Sequence, residues 1–186
     1  MVETMDEPAP MSNGPTARAV FLDRDGTLIE DVPYLNEPQR VRLLPRVAAS
    51  LRTLKAHGFK LVLTSNQSGI GRGLISRAAA EAVHERFVEL LANEGVELDG
   101  VFYCPHQPGA ACSCRKPQPG MILEAAAVLD IRLADSFMVG NAASDVEAGL
   151  RAGCRTIFVG DADGGAAAPD LRVATLADAV PFLLAA

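Results

Sequence analysis

Two aspartates, Asp23 and Asp25, follow an apolar segment in the string FLDRDGTL. Burying carboxylates at the end of a strand costs free energy unless a cation or hydrogen bonds compensate it. One ionised carboxylate can attack phosphorus as a nucleophile, and a second can then donate and accept protons. Magnesium (Mg2+) would offset their repulsion from phosphate. The pair therefore indicates phosphoryl-transfer chemistry, although an Asp-capped turn with Gly26 at positive φ explains the same residues.

A second group of reactive side chains lies further along the chain. Cys104, His106, Cys112 and Cys114 form the pattern C-x-H-x5-C-x-C. Two or more thiolates with an imidazole are the ligands of tetrahedral zinc (Zn2+), and four protein ligands make such a site structural. Coincidence or a disulfide is the alternative, and the histidine and the expected reducing compartment count against a disulfide. Cys154 begins an apolar segment and is interpreted as a buried thiol.

The elements that carry these groups alternate along the chain. Helix 76–95 has Ser76 as its expected N-cap, and helix 176–186 is expected to be interrupted near Pro181. Alternation of this kind predicts an α/β fold with a parallel sheet covered on both faces. The predicted strands are 19–23, 59–65, 100–104, 136–140 and 154–160, the other predicted helices are 46–58, 119–131 and 144–153, and 160–170 is a predicted Gly/Ala-rich loop.

The polar residues converge on one edge of the predicted sheet. In an open parallel sheet, ligands bind beyond the carboxyl ends of the strands. Polar or reactive residues follow four of the five predicted strands, and this convergence is stronger evidence for a site than either motif alone. They are Asp23 and Asp25 after the first strand, Ser65, Asn66, Gln67 and Ser68 after the second, Cys104 after the third, and Asn141 after the fourth.

Composition limits the class of protein. The chain has 186 residues, of which 49% are hydrophobic and 22% are charged, as in soluble globular proteins. A net charge of −6 argues against a nucleic-acid partner or an anionic membrane surface. Residues 1–16 are expected to form a flexible tail with no secretory signal, and 17–186 one domain. We expect a cytoplasmic monomer.

Four segments in order resemble the motifs of the haloacid-dehalogenase (HAD) superfamily of aspartate-nucleophile phosphatases. They are FLDRDGTL, LTSNQSG, CRKPQPG and MVGNAASDVEAG. The resemblance implies a three-layer, Rossmann-like fold without a large cap domain, and a magnesium-dependent phosphoric monoester hydrolase. It also implies that Asp23 is the nucleophile, that Asp25 is the general acid and base, and that both help to hold magnesium. Ser65 and Lys116 would hold the phosphoryl oxygens.

A narrower resemblance rests on DVPYL, NQSGIGRG and CPHQP…CSCRKPQPGM. These segments are similar to those of D-glycero-D-manno-heptose 1,7-bisphosphate 7-phosphatases. Histidinol-phosphate phosphatases share the first motif and the cysteine cluster, but NQSGIGRG followed by KPQPGM favours the heptose family. A phosphorylated sugar is then the implied substrate, and an ordinary polar loop is the alternative for residues 31–34. The implied substrate contacts are Asp31, Tyr34, Asn66, Gln67, Ser68 and Arg115.

The fourth motif departs from its family pattern. The family has G-D-x-x-x-D, whereas this chain has Asn141 at the first acidic position, which normally binds magnesium. Three interpretations remain open. Asn141 is a weaker ligand, because an amide oxygen carries no full charge, or Asp145 takes over directly or through water. In the third, the protein has lost most of its activity and binds a phosphorylated ligand or a partner. The intact Asp23, Asp25 and Lys116 favour a working enzyme.

Overall fold

A six-stranded sheet forms the centre of the part of the chain that the computed structural model describes, residues 15–161 and 168–185. Every neighbouring pair of strands is parallel, and the strand order is β3-β2-β1-β4-β5-β6. The predicted α/β fold is confirmed. The strands are β1 (Arg18–Leu22), β2 (Phe59–Asn66), β3 (Gly100–Cys104), β4 (Phe137–Gly140), β5 (Arg155–Val159) and β6 (Leu171–Val173).

Helices cover both faces of this sheet. Two single turns of 3-10 helix, Pro38–Arg40 and Leu133–Asp135, lie in the connections. Ser76 caps its helix as expected, since its Oγ accepts the N–H of Ala79 at 3.1 Å. The helices are α1 (Val47–Ala56), α2 (Ser68–Gly71), α3 (Arg77–Asn93), α4 (Gly120–Leu129), α5 (Ala143–Ala152) and α6 (Leu176–Leu184).

The two faces of β1 belong to separate hydrophobic clusters, which makes the fold three-layered. Val20 and Leu22 pack into the larger cluster with residues of α1, α3 and α6. Ala19 and Phe21 face the other way and pack against residues of α4 and α5. Because β1 is buried on both faces and has neighbours on both edges, the loop that follows it starts from a fixed point. That loop carries Asp23 and Asp25.

Three details differ from the sequence prediction. Strand β6, with three residues, and helix α2, with four, were not predicted, because segments this short show no hydrophobic periodicity. Helix α6 continues through Pro181 and is not interrupted there. The lost N–H of Pro181 is compensated because Thr175 and Asp178 cap the helix and because Leu183, beyond the proline, is buried.

Residues 1–14 of the predicted tail and residues 162–167 of the predicted Gly/Ala-rich loop lie outside the described part of the chain. The last two residues of that tail contact the domain. The Pro15 carbonyl accepts from Arg132 Nε at 3.0 Å, and Thr16 Oγ1 donates to Asp130 at 3.3 Å. In the part of the chain described, no helix combines the length and the apolar character that spanning a membrane requires.

Candidate active site

Lys116 is the centre of a buried ionic group at the carboxyl end of the sheet. Its Nζ donates to Asp23 Oδ1 at 2.6 Å, to the carbonyl of Thr64 at 2.7 Å, and lies 2.7 Å from Asp145 Oδ1. The side chain of Lys116 is 1% exposed. Three acceptors match the three protons of an ammonium group, so the lysine is fully satisfied without water.

The charges of this group are unevenly balanced. Burial raises the pKa of Asp23 to about 7; Lys116 acts against this rise, and the neighbouring Asp145 and Asp25 add to it. Burial acts to lower the pKa of Lys116, but the carboxylates of Asp145 and, next, Asp23 more than offset it, so the lysine pKa rises. Lys116 therefore stays protonated, chiefly through Asp145, whereas the positive charge near Asp23 does not fully offset the cost of burying its ionised form.

Asn66, at the end of β2, fixes the backbone of Lys116. Its Nδ2 donates to the Lys116 carbonyl at 3.0 Å, and its Oδ1 accepts the Lys116 N–H at 3.1 Å. This two-point contact holds the lysine segment against β2, next to the carbonyl that Lys116 Nζ uses. It gives Asn66 a clear structural role, and its predicted contact with substrate stays a prediction.

Asp25 is held by two neighbours. Arg24 Nε and Nη2 donate to Asp25 Oδ1 at 3.2 and 3.1 Å, and Nη2 also donates to Oδ2 at 3.1 Å. Gln67 Nε2 donates to Oδ2 at 2.9 Å and to Ser65 Oγ at 2.9 Å. The structure thus joins three residues predicted from the sequence, Asp25, Ser65 and Gln67, in one hydrogen-bonded chain.

The loop after β1 and the segment after β2 enclose a cavity of about 170 Å3. The predicted substrate residues Asp31, Tyr34, Asn66, Gln67 and Ser68 line it together with Asp25. Tyr34 has a φ of 52°, and its hydroxyl accepts from Arg72 Nη1 at 3.1 Å. The cavity therefore lies beside Asp25, the predicted general acid and base.

Arg115 lies on the other side of the site. It lines a separate, open cavity of about 410 Å3 with Lys116 and residues of the cysteine loop. Its Nη1 donates to the His106 carbonyl at 3.3 Å. Five of the six predicted substrate residues therefore line one cavity. The sixth, Arg115, lies beside the loop that carries His106 and the cysteines.

Asn141 packs against the turn after β1. Its Oδ1 accepts from Thr27 Oγ1 at 3.5 Å, and a Cβ at Gly26 would lie 2.1 Å from its Nδ2. Gly26 also has a φ of +79°, so both backbone conformation and space require glycine here. Asp145, in contrast, uses Oδ1 for Lys116 and Oδ2 for the N–H of Ala142 at 2.9 Å. These contacts favour Asn141, rather than Asp145, as the residue nearest to a cation at Asp23.

The chemistry of these donors fits magnesium. Asp145 and Asp23 share the cation Lys116, Asp25 is paired with Arg24, and burial raises the pKa of Asp23. A hard divalent cation prefers carboxylate, carbonyl and amide oxygens, and it would supply the positive charge that Asp23 lacks. The residues that would hold it are Asp23, the backbone carbonyl of Asp25, and Asn141.

The cysteine cluster fits zinc. Ligand atoms of Cys104, His106, Cys112 and Cys114 all lie within 4.8 Å of one another. Cys104 Sγ lies 3.4 Å from His106 Nδ1, 3.8 Å from Cys112 Sγ and 3.1 Å from Cys114 Sγ. Zinc–sulfur bonds of about 2.3 Å place tetrahedral ligands about 3.8 Å apart. Cys154 is buried elsewhere, and burial raises its pKa to about 12, as expected for an inert thiol.

The zinc loop supports the active site directly. The carbonyl of Cys104 accepts the N–H of Gln67 at 2.8 Å, and that of Pro105 accepts the N–H of Gly71 at 2.8 Å. A Cβ at Gly71 would lie 2.6 Å from the Pro105 oxygen, so helix α2 and the loop pack backbone to backbone. The sequence predicted Cys104 at the edge of the sheet where the polar residues converge. The structure adds that the loop after it holds α2 in position.

Two residues of the site were missed by sequence reasoning. Arg24 is one, although its place between the two aspartates was a signal, because a buried carboxylate needs a cation or hydrogen-bond donors. Arg72 is the other, and no local pattern in the sequence indicates its contact with Tyr34. The pairing of Asp145 with Lys116 joins positions 29 residues apart, and only the fold reveals it.

Comparison with known proteins places this geometry in a family. The HAD-hydrolase-like family profile matches residues 113–180. The D-glycero-beta-D-manno-heptose-1,7-bisphosphate 7-phosphatase of Yersinia pestis is 42% identical over 145 residues, covering 74% of this chain and 77% of the relative. The Rhodopseudomonas palustris protein of the same name is 38% identical over 149 residues, covering 76% and 83%.

A solved structure agrees with these relatives. The D,D-heptose 1,7-bisphosphate phosphatase of B. bronchiseptica, complexed with magnesium and phosphate, superposes with a TM-score of 0.83. It is 32% identical, and the match covers 90% of this chain and 98% of that one. The family predicted from the motifs is confirmed, and the histidinol-phosphate alternative is not favoured. With the buried Asp23–Lys116 pair, the Asp25 carboxylate beside it and the four zinc-type ligands in place, this chain belongs to the D-glycero-beta-D-manno-heptose-1,7-bisphosphate 7-phosphatase family of HAD-like hydrolases.

Proposed function

We propose that this protein hydrolyses D-glycero-β-D-manno-heptose 1,7-bisphosphate at the 7-position, through a phosphoryl group carried on Asp23. The observation that carries the proposal is the buried contact between Asp23 and Lys116 at the carboxyl end of β1. A carboxylate with an ammonium beside it, at the start of the loop that carries Asp25, supports the role of nucleophile for Asp23. The family supplies the choice of sugar, since its named members act on this bisphosphate.

The first half of the reaction forms a bond between an Asp23 carboxylate oxygen and the phosphorus. The bond between phosphorus and the sugar oxygen breaks, and Asp25 donates its proton to that oxygen, which leaves as an alcohol. Ser65 donates its hydroxyl proton to an equatorial oxygen, where charge accumulates in phosphoryl transfer. The ammonium of Lys116, whose protons are already shared among three acceptors, supplies positive charge beside these oxygens. When bound, magnesium neutralises charge on the nucleophile and on the phosphoryl oxygens.

The second half restores the enzyme. Asp25, now a carboxylate, takes a proton from water as the water oxygen attacks the phosphorus. The bond between phosphorus and Asp23 breaks, so inorganic phosphate leaves and Asp23 is again a carboxylate. Asp25 holds the proton for the next cycle, and no other reactant is required.

The cavity beside Asp25 supports a sugar substrate. Asp31 and Tyr34 on one side and Ser68 on the other offer hydrogen-bonding groups to hydroxyls. Arg115, on the zinc loop, offers a second cation at the far side of Lys116. We infer that it contacts the part of the substrate that is not hydrolysed, and that the enzyme acts as a cytoplasmic monomer.

Phosphate release from a panel of sugar phosphates tests this function. The panel contains heptose 1,7-bisphosphate, histidinol phosphate and related monophosphates, each with and without magnesium. We expect the heptose bisphosphate to give the highest kcat/KM, in a magnesium-dependent reaction. Asp23→Asn should fold, keep its zinc and release almost no phosphate, because an amide cannot form the acyl phosphate. Near-normal turnover by that variant would falsify the covalent mechanism, and wild-type inactivity on the whole panel would contradict the function.

A further inference from the structure

Arg24 is a buried cation beside a partly open carboxylate. Its side chain is 5% exposed, whereas that of its ion-pair partner Asp25 is 26% exposed. Burying a guanidinium is costly unless its donors are paired. Here Nε and Nη2 reach both oxygens of Asp25, so the arginine is directed at this carboxylate.

The backbone of Arg24 is fixed by the turn after β1. Its carbonyl accepts the N–H groups of Thr27, Leu28 and Ile29 at 3.3, 2.9 and 3.1 Å, which fixes the turn after β1. At the other end, its side chain borders a cavity of about 130 Å3 between the sheet and α3, which His84 also lines. The guanidinium of Arg24 therefore contacts Asp25 from a fixed backbone position.

Gln67 fixes Asp25 from the opposite side. Its Nε2 donates to Asp25 Oδ2 and its backbone N–H is held by Cys104 on the zinc loop. Both contacts involve a side chain whose own backbone is anchored, so Asp25 is held by its own loop and by the segment after β2. Such a double constraint removes rotamer freedom that a partly exposed aspartate otherwise keeps.

We propose that Arg24 is a positioning residue, which together with Gln67 orients the carboxyl group of Asp25 for proton transfer to the leaving group. The proposal rests on the function proposed above, since it gives Asp25 a proton to deliver. Arg24 also lines the cavity beside Asp25, and the role proposed here is the one that it exerts through Asp25. Proton transfer is efficient only when donor and acceptor are held at hydrogen-bond distance, so loss of orientation lowers the rate of this step.

Two phosphate esters separate this role from a structural one. A sugar alkoxide needs a proton as it leaves, whereas the leaving group of p-nitrophenyl phosphate does not. For both esters, kcat/KM reports the steps up to leaving-group departure. We expect Arg24→Met to lower kcat/KM for the sugar phosphate by about 10- to 100-fold. The value for p-nitrophenyl phosphate should change by less than about threefold. Arg86→Met, which removes a partly exposed arginine on α3 that pairs with Glu89, should change neither value.

A double-mutant cycle adds a second readout. If Arg24 acts through Asp25, Arg24→Met should cost almost nothing once Asp25→Asn is present. Should Arg24→Met fail to fold, Arg24→Lys and Gln67→Met provide the same comparison, because each removes part of the contact with Asp25. Equal losses on both esters, together with additive losses in the cycle, would overturn the proposal.

The same experiment distinguishes this inference from the proposed function. The ratio of the two kcat/KM values is measured on whichever sugar phosphate the wild-type protein hydrolyses fastest. A wild type that prefers another sugar phosphate therefore overturns the choice of heptose bisphosphate and leaves the test of Arg24 intact. A selective loss in Arg24→Met supports the positioning role in either case.

Discussion

Lys116 Nζ and Asp145 Oδ1 lie 2.7 Å apart, and both side chains are almost completely buried. The other oxygen of Asp145 accepts the N–H of Ala142, and a Cβ at Gly140 would lie 2.2 Å from it. Asp145 is thus fixed by its neighbours on three sides, and it holds the ammonium of Lys116 in position. Since Lys116 also contacts Asp23, two ion pairs in series link the fourth motif to the predicted nucleophile.

Asp145→Asn should therefore impair catalysis indirectly, through the contacts of Lys116 with Asp145 and Asp23. The amide keeps an acceptor for Lys116 but loses the charge that holds it, so we expect kcat to fall about 10- to 100-fold. The free energy of unfolding should fall by about 1–3 kcal/mol, as for a weakened buried hydrogen bond to a charged group. Steady-state kinetics and urea denaturation measure the two effects. Glu147→Gln, on the same helix but paired with Arg151 at the surface, is the matched control; equal kinetics in both variants would refute the role of Asp145.

The raised pKa of Asp23 predicts a dependence of stability on pH. Burial raises this pKa from 3.8 to about 7, so the folded protein keeps a proton that the unfolded chain has released. The free energy of unfolding should then decrease as pH rises from about 4 to about 7, because the unfolded state binds fewer protons there. Asp23→Asn cannot lose this proton, so it should gain stability relative to the wild type over the same range.

Urea denaturation at pH 5 and at pH 8, in buffer without magnesium, measures this difference. We expect the midpoint of Asp23→Asn to exceed that of the wild type by more at pH 8 than at pH 5. Glu30→Gln, which removes an exposed carboxylate from the following loop, should show no such change. A difference between Asp23→Asn and the wild type that is the same at both pH values would show that Asp23 is not destabilised by burial.

Zinc should be required for the shape of the substrate edge. Because Cys104 and Pro105 hold the backbone of Gln67 and Gly71, loss of the metal should release α2 as well as the loop. Purified protein should contain about one zinc per chain, and Cys112→Ser should lose it and show a KM raised by about tenfold. Cys154→Ala, a buried thiol outside the cluster, should keep the metal. Elemental analysis that finds no zinc in protein prepared without chelator would contradict the site.

The sequence predicted the order of the main elements because each has an apolar pattern long enough to recognise. Strand β6 and helix α2 were missed, since three or four residues carry no period. The continuity of α6 through Pro181 was missed because burial of residues beyond the proline outweighs one lost hydrogen bond.

The candidate catalytic residues could be identified from the sequence, whereas the residues that support them could not. Asp23 and Asp25 stand next to a buried strand, and the four zinc ligands lie within eleven residues, so local spacing shows both groups. The contacts of Asn66 with Lys116, and of Lys116 with Asp145, join distant segments that only the strand order β2-β1-β4 brings together. Arg24 is the exception, since a buried carboxylate pair calls for a cation next to it.

Asn141 remains the unusual feature of this site. It follows β4, the neighbour of β1, and its amide packs against Gly26 and Thr27 in the turn that carries Asp25. That location suits a ligand to a cation shared with Asp23, but an amide oxygen brings no full negative charge. Magnesium depends on one or two carboxylates besides water and phosphate, so the loss of one should weaken its binding.

Asn141→Asp should therefore reach half-maximal activity at a lower magnesium concentration than the wild type, and it should be at least as active. The added carboxylate supplies negative charge next to Asp23, whose buried carboxylate is incompletely compensated by positive charge. Two such carboxylates should bind a divalent cation more strongly than one. A magnesium titration of phosphate release measures the shift, and Asn93→Asp, an exposed position at the end of α3, controls for the change in net charge. If Asn141→Asp needs the same magnesium concentration or loses activity, Asn141 is not a weakened ligand, and its contact with Thr27 must serve to hold the turn after β1 instead.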